Sequence, residues 1–257
     1  MSAILIIVIL IGLLLALVLF IKHKLFMDNL YWHFKHVNVI TFGKKGSGKD
    51  LVTDKVIRHR KEFYYANIPY SHEDYEVVKL KQVSCEPNNY ENIVNDKIVK
   101  QPHQFKEGKD IYISDIGIYL PSYMDNKLYN KFPSMPILYA LSRQLYNNNI
   151  HCNTQNLERG WKALREQADF YVRCKRTYKL PFLLITSVVT YDKYDSAKKA
   201  LEPIRSRMLN KYSKAEVDIY KAENGEIRKG LIFSLKRKVK YDSRYFEKVL
   251  LEGERLT

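Results

Sequence analysis

The sequence predicts an α/β domain with a largely parallel β-sheet, preceded by one membrane-spanning helix. Strand-like and helix-like segments alternate between residues 37 and 190, as they do in chains whose helices cover the faces of a parallel sheet. A glycine-rich turn separates the first strand from the first helix of that series. An uncharged apolar run occupies the N-terminus. With 257 residues, the chain has room for one well-buried domain besides the span.

The apolar run extends from Ala3 to Ile21. As a helix it would measure about 28 Å, close to the thickness of a bilayer core. Lys22, His23 and Lys24 follow it, and no charged side chain precedes it. The positive-inside rule therefore predicts a single-pass protein with its N-terminus outside and residues 22–36 as a cytoplasmic juxtamembrane segment. The alternative for such a run is a buried core helix.

Charge and cysteine content restrict the partners and the redox chemistry. The net charge of +15 favours a polyanionic partner, either nucleic acid or an anionic membrane surface. A compositional bias towards Lys, Asn, Ile and Tyr is the alternative explanation. The three cysteines include no CxxC pair, which argues against a disulfide framework or a zinc site.

The remaining elements follow from hydrophobic periodicity and turn residues. Residues 37–200 are expected to form the main domain, and the basic residues 201–257 to complete or extend it. Residues 69–109 carry no clear periodic signal. The last two strands are expected to pair around the turn at Asn224-Gly225. Strands are predicted at 37–42, 64–68, 111–114, 150–154, 169–174, 182–190, 215–221 and 230–240, and helices at 50–63, 134–148 and 157–167.

The run GKKGSGKD matches the phosphate-loop pattern GxxxxGK, with a predicted strand before it and a helix after it. Its glycines allow backbone N–H groups to curl around a phosphate, and the helix N-terminus adds its positive dipole end. Lys49 would reach the β- and γ-phosphates of a nucleotide, and the alternative for the run is a tight glycine turn. The candidate nucleotide-binding residues are Gly43, Lys44, Lys45, Gly46, Ser47, Gly48, Lys49 and Asp50.

Two acidic residues are candidate Mg²⁺ ligands. Asp50 stands where the pattern has Ser or Thr, and its carboxylate would either bind the metal or cap the helix. Asp115 ends the apolar run IYISD, in the position of a Walker B acid, and Ile116 follows where many ATPases have a catalytic Glu. Either Asp115 binds the metal and the base lies elsewhere, or Asp115 is the base and Ser114 takes the metal position. A simple strand-end turn is the third alternative.

Three sequence blocks resemble the zonular occludens toxin family, the morphogenesis ATPases of filamentous phages. They are GKKGSGKD, the segment ISDIGIYLP ending at Pro121, and the segment from Ser142 to Cys174. The resemblance covers residues 37–176. In the family a helix with an Arg leads to a strand ending in Thr-Gln and then to a helix with a further Arg. The matching residues here are Arg143, Thr154, Gln155 and Arg165.

These last residues have physical rationales and ordinary alternatives. A polar residue such as Gln155 at a strand end beside the phosphate loop can orient the attacking water, or it can simply be a turn residue. Arg143 and Arg165 could act as arginine fingers towards a neighbouring subunit, or they are solvated helix residues. The predicted catalytic residues are Lys49, Asp115, Gln155 and Arg165.

The resemblance implies a three-layer α/β/α P-loop NTPase fold of the RecA/FtsK-like type. It implies ATP and Mg²⁺ as cofactors and the export of phage single-stranded DNA through the inner membrane, with phage coat or assembly proteins as partners. It also implies a homo-oligomer, for which a hexameric ring is possible. Many family members carry their membrane span after the ATPase domain, whereas here it comes first.

The C-terminal region combines cations with tyrosines, as surfaces that bind single-stranded DNA do. A solvated strand pair or a contact with anionic lipid is the alternative. For the whole chain we weigh a DNA-exporting motor against a non-hydrolysing nucleotide-dependent scaffold, and a small-molecule kinase comes third. The residues concerned are Arg205, Arg207, Lys211, Lys214, Arg228, Lys229, Lys236, Arg237, Lys238 and Lys240, with Tyr212, Tyr220 and Tyr241.

Overall fold

The central element of the computed structural model is an eight-stranded sheet in the order β3-β2-β4-β5-β1-β6-β7-β8. The first six strands in this order are parallel, and β7 and β8 are added antiparallel at one edge. The described residues are 3–66, 68, 70–71, 75–77, 108–119, 122–124, 147–199 and 227–239. The strands are β1 Val39–Phe42, β2 Tyr64–Ala66, β3 Tyr75–Val77, β4 Ile111–Ile113, β5 Ile150–Thr154, β6 Phe170–Lys179, β7 Leu183–Tyr191 and β8 Ile227–Leu235.

Helices cover both faces of this sheet, which gives three layers. On one face, α1 and α2 bury Phe26, Leu30, Phe34 and Val52 against strand residues such as Phe170. On the other face, short helical segments bury a second core, which includes Ile40, Cys152, Leu157, Trp161 and Leu164. The helices are α1 Ala3–His36, α2 Lys49–Arg60, α3 Ile116–Tyr119, α4 Lys162–Gln167 and α5 Tyr194–Lys199, with 3₁₀ turns at Ser122–Met124, Leu157–Arg159 and Lys236–Lys238.

Helix α1 has two parts that face different surroundings. The large apolar side chains between Ile6 and Ile21 are 41–67% exposed, which is unlike a core helix. From Phe26 onward the helix is docked on the domain. Gly230 of β8 makes this docking possible, because a Cβ there would lie 2.4 Å from the ring of Phe26. The helix is long and apolar enough to cross a membrane, by length and composition.

The amino ends of β4 and β5 carry a buried polar network that fastens α1 to the sheet. Asp110 pairs with the guanidinium of Arg60, and its oxygens also accept from Asn149 and Tyr112. His151 Nε2 lies 3.3 Å from Asp110 Oδ2. Arg60 and Asn149 in turn donate to the carbonyl oxygens of Phe34 and Lys35 at the end of α1. We call these five side chains the amino-edge network.

Most elements predicted from the sequence are present. The ends of the first four predicted strands agree with the structure to within one or two residues. The predicted helix 157–167 is wrong as a continuous helix, because Gly160 and Trp161 are extended and separate a 3₁₀ turn from α4. Glycine disfavours helix interiors by about 1 kcal/mol, and the extended backbone buries Trp161 completely. The predicted juxtamembrane segment 22–36 continues the span as one helix.

The strands near the C-terminus differ from the prediction in length and position. Strand β6 continues to Lys179, well past the predicted end at Cys174, because it pairs with β7 beyond the edge of β1. Strand β8 spans Ile227–Leu235 rather than 230–240, and its partner is β7. The predicted strand 215–221, the Asn224-Gly225 turn and most of the helix 134–148 lie outside the described residues. Asn147 and Asn148, the last residues of that predicted helix, are not helical.

Candidate active site

The phosphate loop connects the carboxyl end of β1 to the start of α2, as its sequence pattern predicts. Gly43, Gly46 and Gly48 all have positive φ angles, of 154°, 76° and 95°. At Gly48 the angle lies in the left-handed region, and a Cβ would meet Thr177 Oγ1 at 2.2 Å. A side chain at Gly43 would meet the carbonyl oxygen of Cys174 at 2.3 Å. Both positions therefore require glycine, and the loop is held close against β6.

Lys49 is the first residue of α2, and its side chain folds back into the loop. Its Nζ donates to the carbonyl oxygen of Gly43 at 3.1 Å and lies 3.5 Å from that of Lys44. The side chain is buried, with 6% exposure. An ammonium group held at a helix N-terminus among main-chain carbonyls stabilises an anion that binds beside it. Ser47 Oγ is also buried here and has no hydrogen-bond partner among the described residues.

Asp50 accepts three hydrogen bonds on one carboxylate oxygen. Ser114 Oγ donates to Oδ1 at 2.9 Å, Asn153 Nδ2 at 3.0 Å and the Tyr70 hydroxyl at 3.4 Å. These donors come from the carboxyl ends of β4 and β5 and from the segment after β2, so the fold itself converges on the Asp50 carboxylate. The side chain is thus fixed by neutral donors and is not a solvated helix-capping residue.

Asp115 lies next to this network in a strained backbone conformation. Its φ of 52° is in the left-handed region, which non-glycine residues enter at a cost and often at functional sites. Burial raises the pKa of its carboxyl, and the nearby Asp50 carboxylate raises it further, opposed by Lys49 and Lys45. The two carboxylates therefore repel each other, and a cation between them would relieve that repulsion.

Two carboxylates beside the Ser114 hydroxyl form the kind of donor set that Mg²⁺ prefers, since Mg²⁺ keeps several waters and takes few protein ligands. Asp50 Oδ2 accepts none of the three hydrogen bonds described above, so it has capacity for a ligand. The residues present thus fit Mg²⁺. Among the described residues no group of three or more His, Cys, Asp or Glu side chains has a metal-binding arrangement, so the cation would rely on water and phosphate oxygens.

The sequence reasoning missed several residues that shape the site. Asn153 and Tyr70 hold Asp50, and Thr177 Oγ1 donates to the carbonyl oxygen of Ser47 at 2.9 Å while pairing with Thr186 Oγ1 at 3.0 Å. Thr177 lies in the part of β6 that the pattern did not predict. No local signal singled out Asn153, because His151 and Thr154 of the same strand are polar as well.

The remaining predicted site residues have different positions. Gln155 is exposed and follows β5 directly, at the edge of the sheet that carries the phosphate loop. Arg165 Nη1 donates to the carbonyl oxygen of Glu158 at 2.6 Å and lies 3.5 Å from that of Gly160, so it closes the turn before α4. Thr154 Oγ1 donates to the carbonyl oxygen of Asn156 at 2.9 Å. Arg143 lies outside the described residues.

No protein-family model matches the chain, and no curated protein matches it. Among solved structures it is similar to the N-terminal domain of zonular occludens toxin from Neisseria meningitidis, with 11% identity and a TM-score of 0.45, over 82% of this chain and 98% of that domain. It is also similar to the genome packaging NTPase B204 from Sulfolobus turreted icosahedral virus 2. The AMP complex gives 13% identity and a TM-score of 0.37, over 57% of this chain and 78% of that one. The sulfate complex gives 12% and 0.38, over 76% and 96%.

The first of these neighbours carries the name of the family that the three sequence blocks resemble. At such identities and TM-scores the likeness is one of general chain path. The chemistry of this chain follows from its own residues.

Proposed function

We propose that this chain is a membrane-anchored P-loop ATPase that powers virion assembly and the export of DNA through the cytoplasmic membrane. The observation that carries the enzymatic part is the convergence of Lys49, Asp50 and Asp115 at the phosphate loop. The exposed apolar half of α1 supports the anchor. The three blocks that resemble the phage morphogenesis ATPases support the cargo and the partners.

In this proposal the loop glycines and Lys49 hold the β- and γ-phosphates of ATP. Asp50, held by Ser114 and Asn153, is the protein ligand of Mg²⁺. When bound, Mg²⁺ supplies charge neutralisation at the phosphate oxygens. The residue hydrogen-bonded to Asp50 is Ser114, which directly follows β4, and Asp115 is the next residue along the chain. This arrangement favours the alternative in which Asp115 is the base and Ser114 lies at the metal position.

Asp115 has the properties that a general base needs. Its raised pKa makes it a better proton acceptor than an ordinary carboxylate, and a bound cation would favour its ionised form. It would orient a water molecule towards the γ-phosphorus and accept its proton as the P–O bond to the leaving diphosphate breaks. Gln155 would help to orient that water from the adjacent strand end, and Arg165 would need a neighbouring subunit to take part.

The proposed partners follow from the same assignment. Single-stranded DNA is the proposed cargo, coat or assembly proteins are the proposed recipients, and a homo-oligomer such as a hexameric ring is the proposed working form. The N-terminus would lie outside the cytoplasmic membrane and the NTPase domain inside. The basic residues between Arg205 and Lys214, proposed for DNA contact, lie outside the described residues.

A non-hydrolysing nucleotide-dependent scaffold is the second candidate, and Asp50 favours it. A carboxylate in place of Ser or Thr places negative charge near the triphosphate, which weakens binding unless a metal intervenes. The scaffold would bind nucleotide and recruit DNA or coat protein to the membrane without turnover.

The experiment that separates these functions is Mg²⁺-dependent ATP hydrolysis by the full chain in phospholipid nanodiscs, with and without single-stranded DNA. We expect hydrolysis that DNA stimulates and that Lys49→Ala reduces by about a hundredfold or more, since the lysine stabilises transition-state charge. Lys35→Ala, an exposed cation outside the site, is the matched control and should retain wild-type turnover.

Other outcomes assign the chain differently. ATP binding without turnover, lost in Lys49→Ala, identifies the scaffold. Absence of ATP binding by the wild-type chain contradicts both functions and leaves the loop as a turn.

A further inference from the structure

The turn between β6 and β7 projects beyond the phosphate loop and exposes large apolar side chains. Phe182 is 83% exposed, Tyr178 47% and Leu180 46%. Phe182 is thus more exposed than any large apolar side chain described in the membrane-spanning half of α1, where the maximum is 67% at Leu19. The turn is well formed, since the Leu180 N–H donates to the carbonyl oxygen of Leu183 at 2.8 Å. Its exposure is therefore a property of an ordered hairpin.

The end of β8 lies directly beside this turn. Leu235 is paired with Leu183, and the Lys236 N–H donates to the carbonyl oxygen of Phe182 at 3.1 Å. The 3₁₀ turn Lys236–Lys238 follows, and all three of its side chains are exposed. Residues 178–183 and 235–238 therefore form one continuous surface, which we call the tip surface.

The tip surface lies towards the membrane-spanning half of α1. Along β8, Gly230 packs on the ring of Phe26, and three residues later Phe233 contacts His23, with ring centroids 5.1 Å apart. Strand β8 therefore runs antiparallel to α1, and its end lies near Ile21, where the apolar run ends. The last residue of β8, Leu235, belongs to the tip surface. The tip surface therefore lies at the height along α1 where this helix would enter the bilayer.

The charges of this region match an anionic surface. Lys179 and the three residues of the Lys236–Lys238 turn are exposed cations, and Lys22 and Lys24 are exposed at the end of the span. Neither described stretch, 175–183 or 227–239, contains an acidic residue. Apolar side chains surrounded by lysine and arginine are the composition of segments that lie in a membrane interface, with the apolar groups at the acyl boundary and the cations at the headgroups.

We infer that the tip surface is a second, interfacial membrane contact, which places Leu180 and Phe182 at the headgroup–acyl boundary and the Lys236–Lys238 turn against anionic headgroups. The inference rests on the anchoring of α1 under the proposed function. With the tip surface on the membrane, the edge of the sheet that carries the phosphate loop would face the bilayer. Single-stranded DNA would be a different partner for these cations. The tip offers it only Tyr178 and Phe182 for base stacking, beside the aliphatic Leu180 and Leu235, which favours lipid.

The test measures contact with lipid at three single labels on the full chain. Cysteine is introduced at Phe182, at Leu14 in the span or at Lys35, in a Cys85→Ser background in which Cys152 and Cys174 remain buried. Each variant receives a thiol-reactive fluorophore and is reconstituted in vesicles of phosphatidylcholine with roughly 30% phosphatidylglycerol that carry a spin-labelled quencher lipid. Lys35 is the matched control, because it lies fourteen residues beyond Ile21 on the same helix, about 21 Å further along it.

We expect quenching at Leu14→Cys and Phe182→Cys and none at Lys35→Cys. Replacing the Lys236–Lys238 turn by three glutamates should reduce the quenching at position 182 about twofold or more, and leave that at position 14 unchanged. Quenching at position 14 alone overturns the inference while the anchor stands. Absence of quenching at both positions overturns the anchor and the inference together. A label at position 182 that responds to single-stranded DNA but not to quencher lipid assigns the surface to nucleic acid and overturns the inference.

Discussion

The two ends of the central sheet both hold acidic side chains, but these side chains have opposite electrostatic surroundings. At the amino edge, Asp110 is neutralised by the guanidinium of Arg60, and both of its oxygens accept further hydrogen bonds from protein groups. At the carboxyl edge, Asp50 has only neutral donors, and Asp115 beside it has its pKa raised by burial and by the charge of Asp50. The acid at the amino edge thus has a cationic partner within the protein, whereas the acids at the carboxyl edge repel each other.

This difference separates a structural role from a functional one. The amino-edge network joins the ends of α1 and α2 to β4 and β5, and a side chain of the protein neutralises its acid. At the carboxyl edge, Asp50 and Asp115 place two negative charges next to the buried Lys49. The hydroxyl of Ser47 is buried there too and has no hydrogen-bond partner in the part of the chain that the structure describes. An arrangement of this kind is destabilising until a cation and phosphate oxygens are bound, as is common where stability is exchanged for function.

The largest expected effect is the loss of stability in Asp110→Asn. This substitution removes the buried counter-ion of Arg60 and leaves its guanidinium paired only with the exposed Glu62, which costs about 3–5 kcal/mol in the free energy of unfolding. Urea denaturation of the full chain in detergent measures it. The matched control is Glu62→Gln, since Glu62 pairs with the same arginine but its side chain is 46% exposed, and we expect a change below about 1 kcal/mol. Equal losses in the two variants would contradict a structural role specific to Asp110.

The second prediction concerns Asp115→Asn, which should reduce activity without reducing stability. Turnover of ATP should fall by about a hundredfold, while the nucleotide dissociation constant stays within about threefold, because the base acts on water and not on the bound phosphates. The unfolding free energy of the nucleotide-free chain should not decrease, since a like-charge repulsion is removed. Wild-type turnover in this variant would place the base elsewhere.

The third prediction concerns the Mg²⁺ dependence of the site. The pKa of Asp115 is raised above its ordinary value of 3.8, so the folded state keeps this proton to a higher pH than the unfolded state does. Without metal, stability declines as pH rises from that ordinary value through the raised pKa, whereas Mg²⁺ affinity increases over the same window. In Asp50→Asn the Mg²⁺ affinity should fall by about tenfold at neutral pH, because the protein ligand loses its charge. Titration of Mg²⁺ against ATP binding at several pH values measures both effects, and a pH-independent affinity in the wild type would show that the charge of Asp115 does not act on the bound cation.

The sequence predicted the parts of the molecule that have periodic or motif signals. The positions of β1, β2, β4 and β5, a late antiparallel extension and the placement of Lys49 at a helix N-terminus followed from local patterns, whereas β3 lies in the segment 69–109, where no periodic signal was present. Residues whose role depends on pairing partners far along the chain were missed. Asn153 and Thr177 lie more than a hundred residues from the loop groups that they bind, and no local spacing reports such contacts.

The extension of β6 illustrates the same limit. Residues 175–179 lack the alternation of apolar and polar side chains because both faces of this segment are largely exposed, so periodicity gave no strand signal. Only the antiparallel pairing with β7 makes it a strand. The break at Gly160–Trp161 has the same origin, since a tertiary requirement, the burial of Trp161, overrides the helical pattern.

The smallest expected effect is the pH dependence of the amino edge. Burial lowers the pKa of His151 well below its ordinary value, and the guanidinium of Arg60 lowers it further, opposed by the carbonyl of Phe34. Asp110 lies close to the ring, but Arg60 already neutralises it, so the imidazole stays neutral in the folded chain. The unfolded chain takes up a proton below about pH 6.5 and the folded chain does not, so stability falls as pH decreases through that value.

At pH 5.5 the loss due to His151 should be about 1 kcal/mol relative to pH 7.5, and His151→Gln should remove it. The control is His36→Gln, because His36 is exposed at the end of α1 and its substitution should leave the pH profile unchanged. Denaturation of the three chains across this pH range provides the measurement. A profile that His151→Gln leaves as steep as the wild type would mean that the acid sensitivity arises outside the amino edge. It would not arise from Asp115, whose raised pKa makes the folded chain more stable as pH falls.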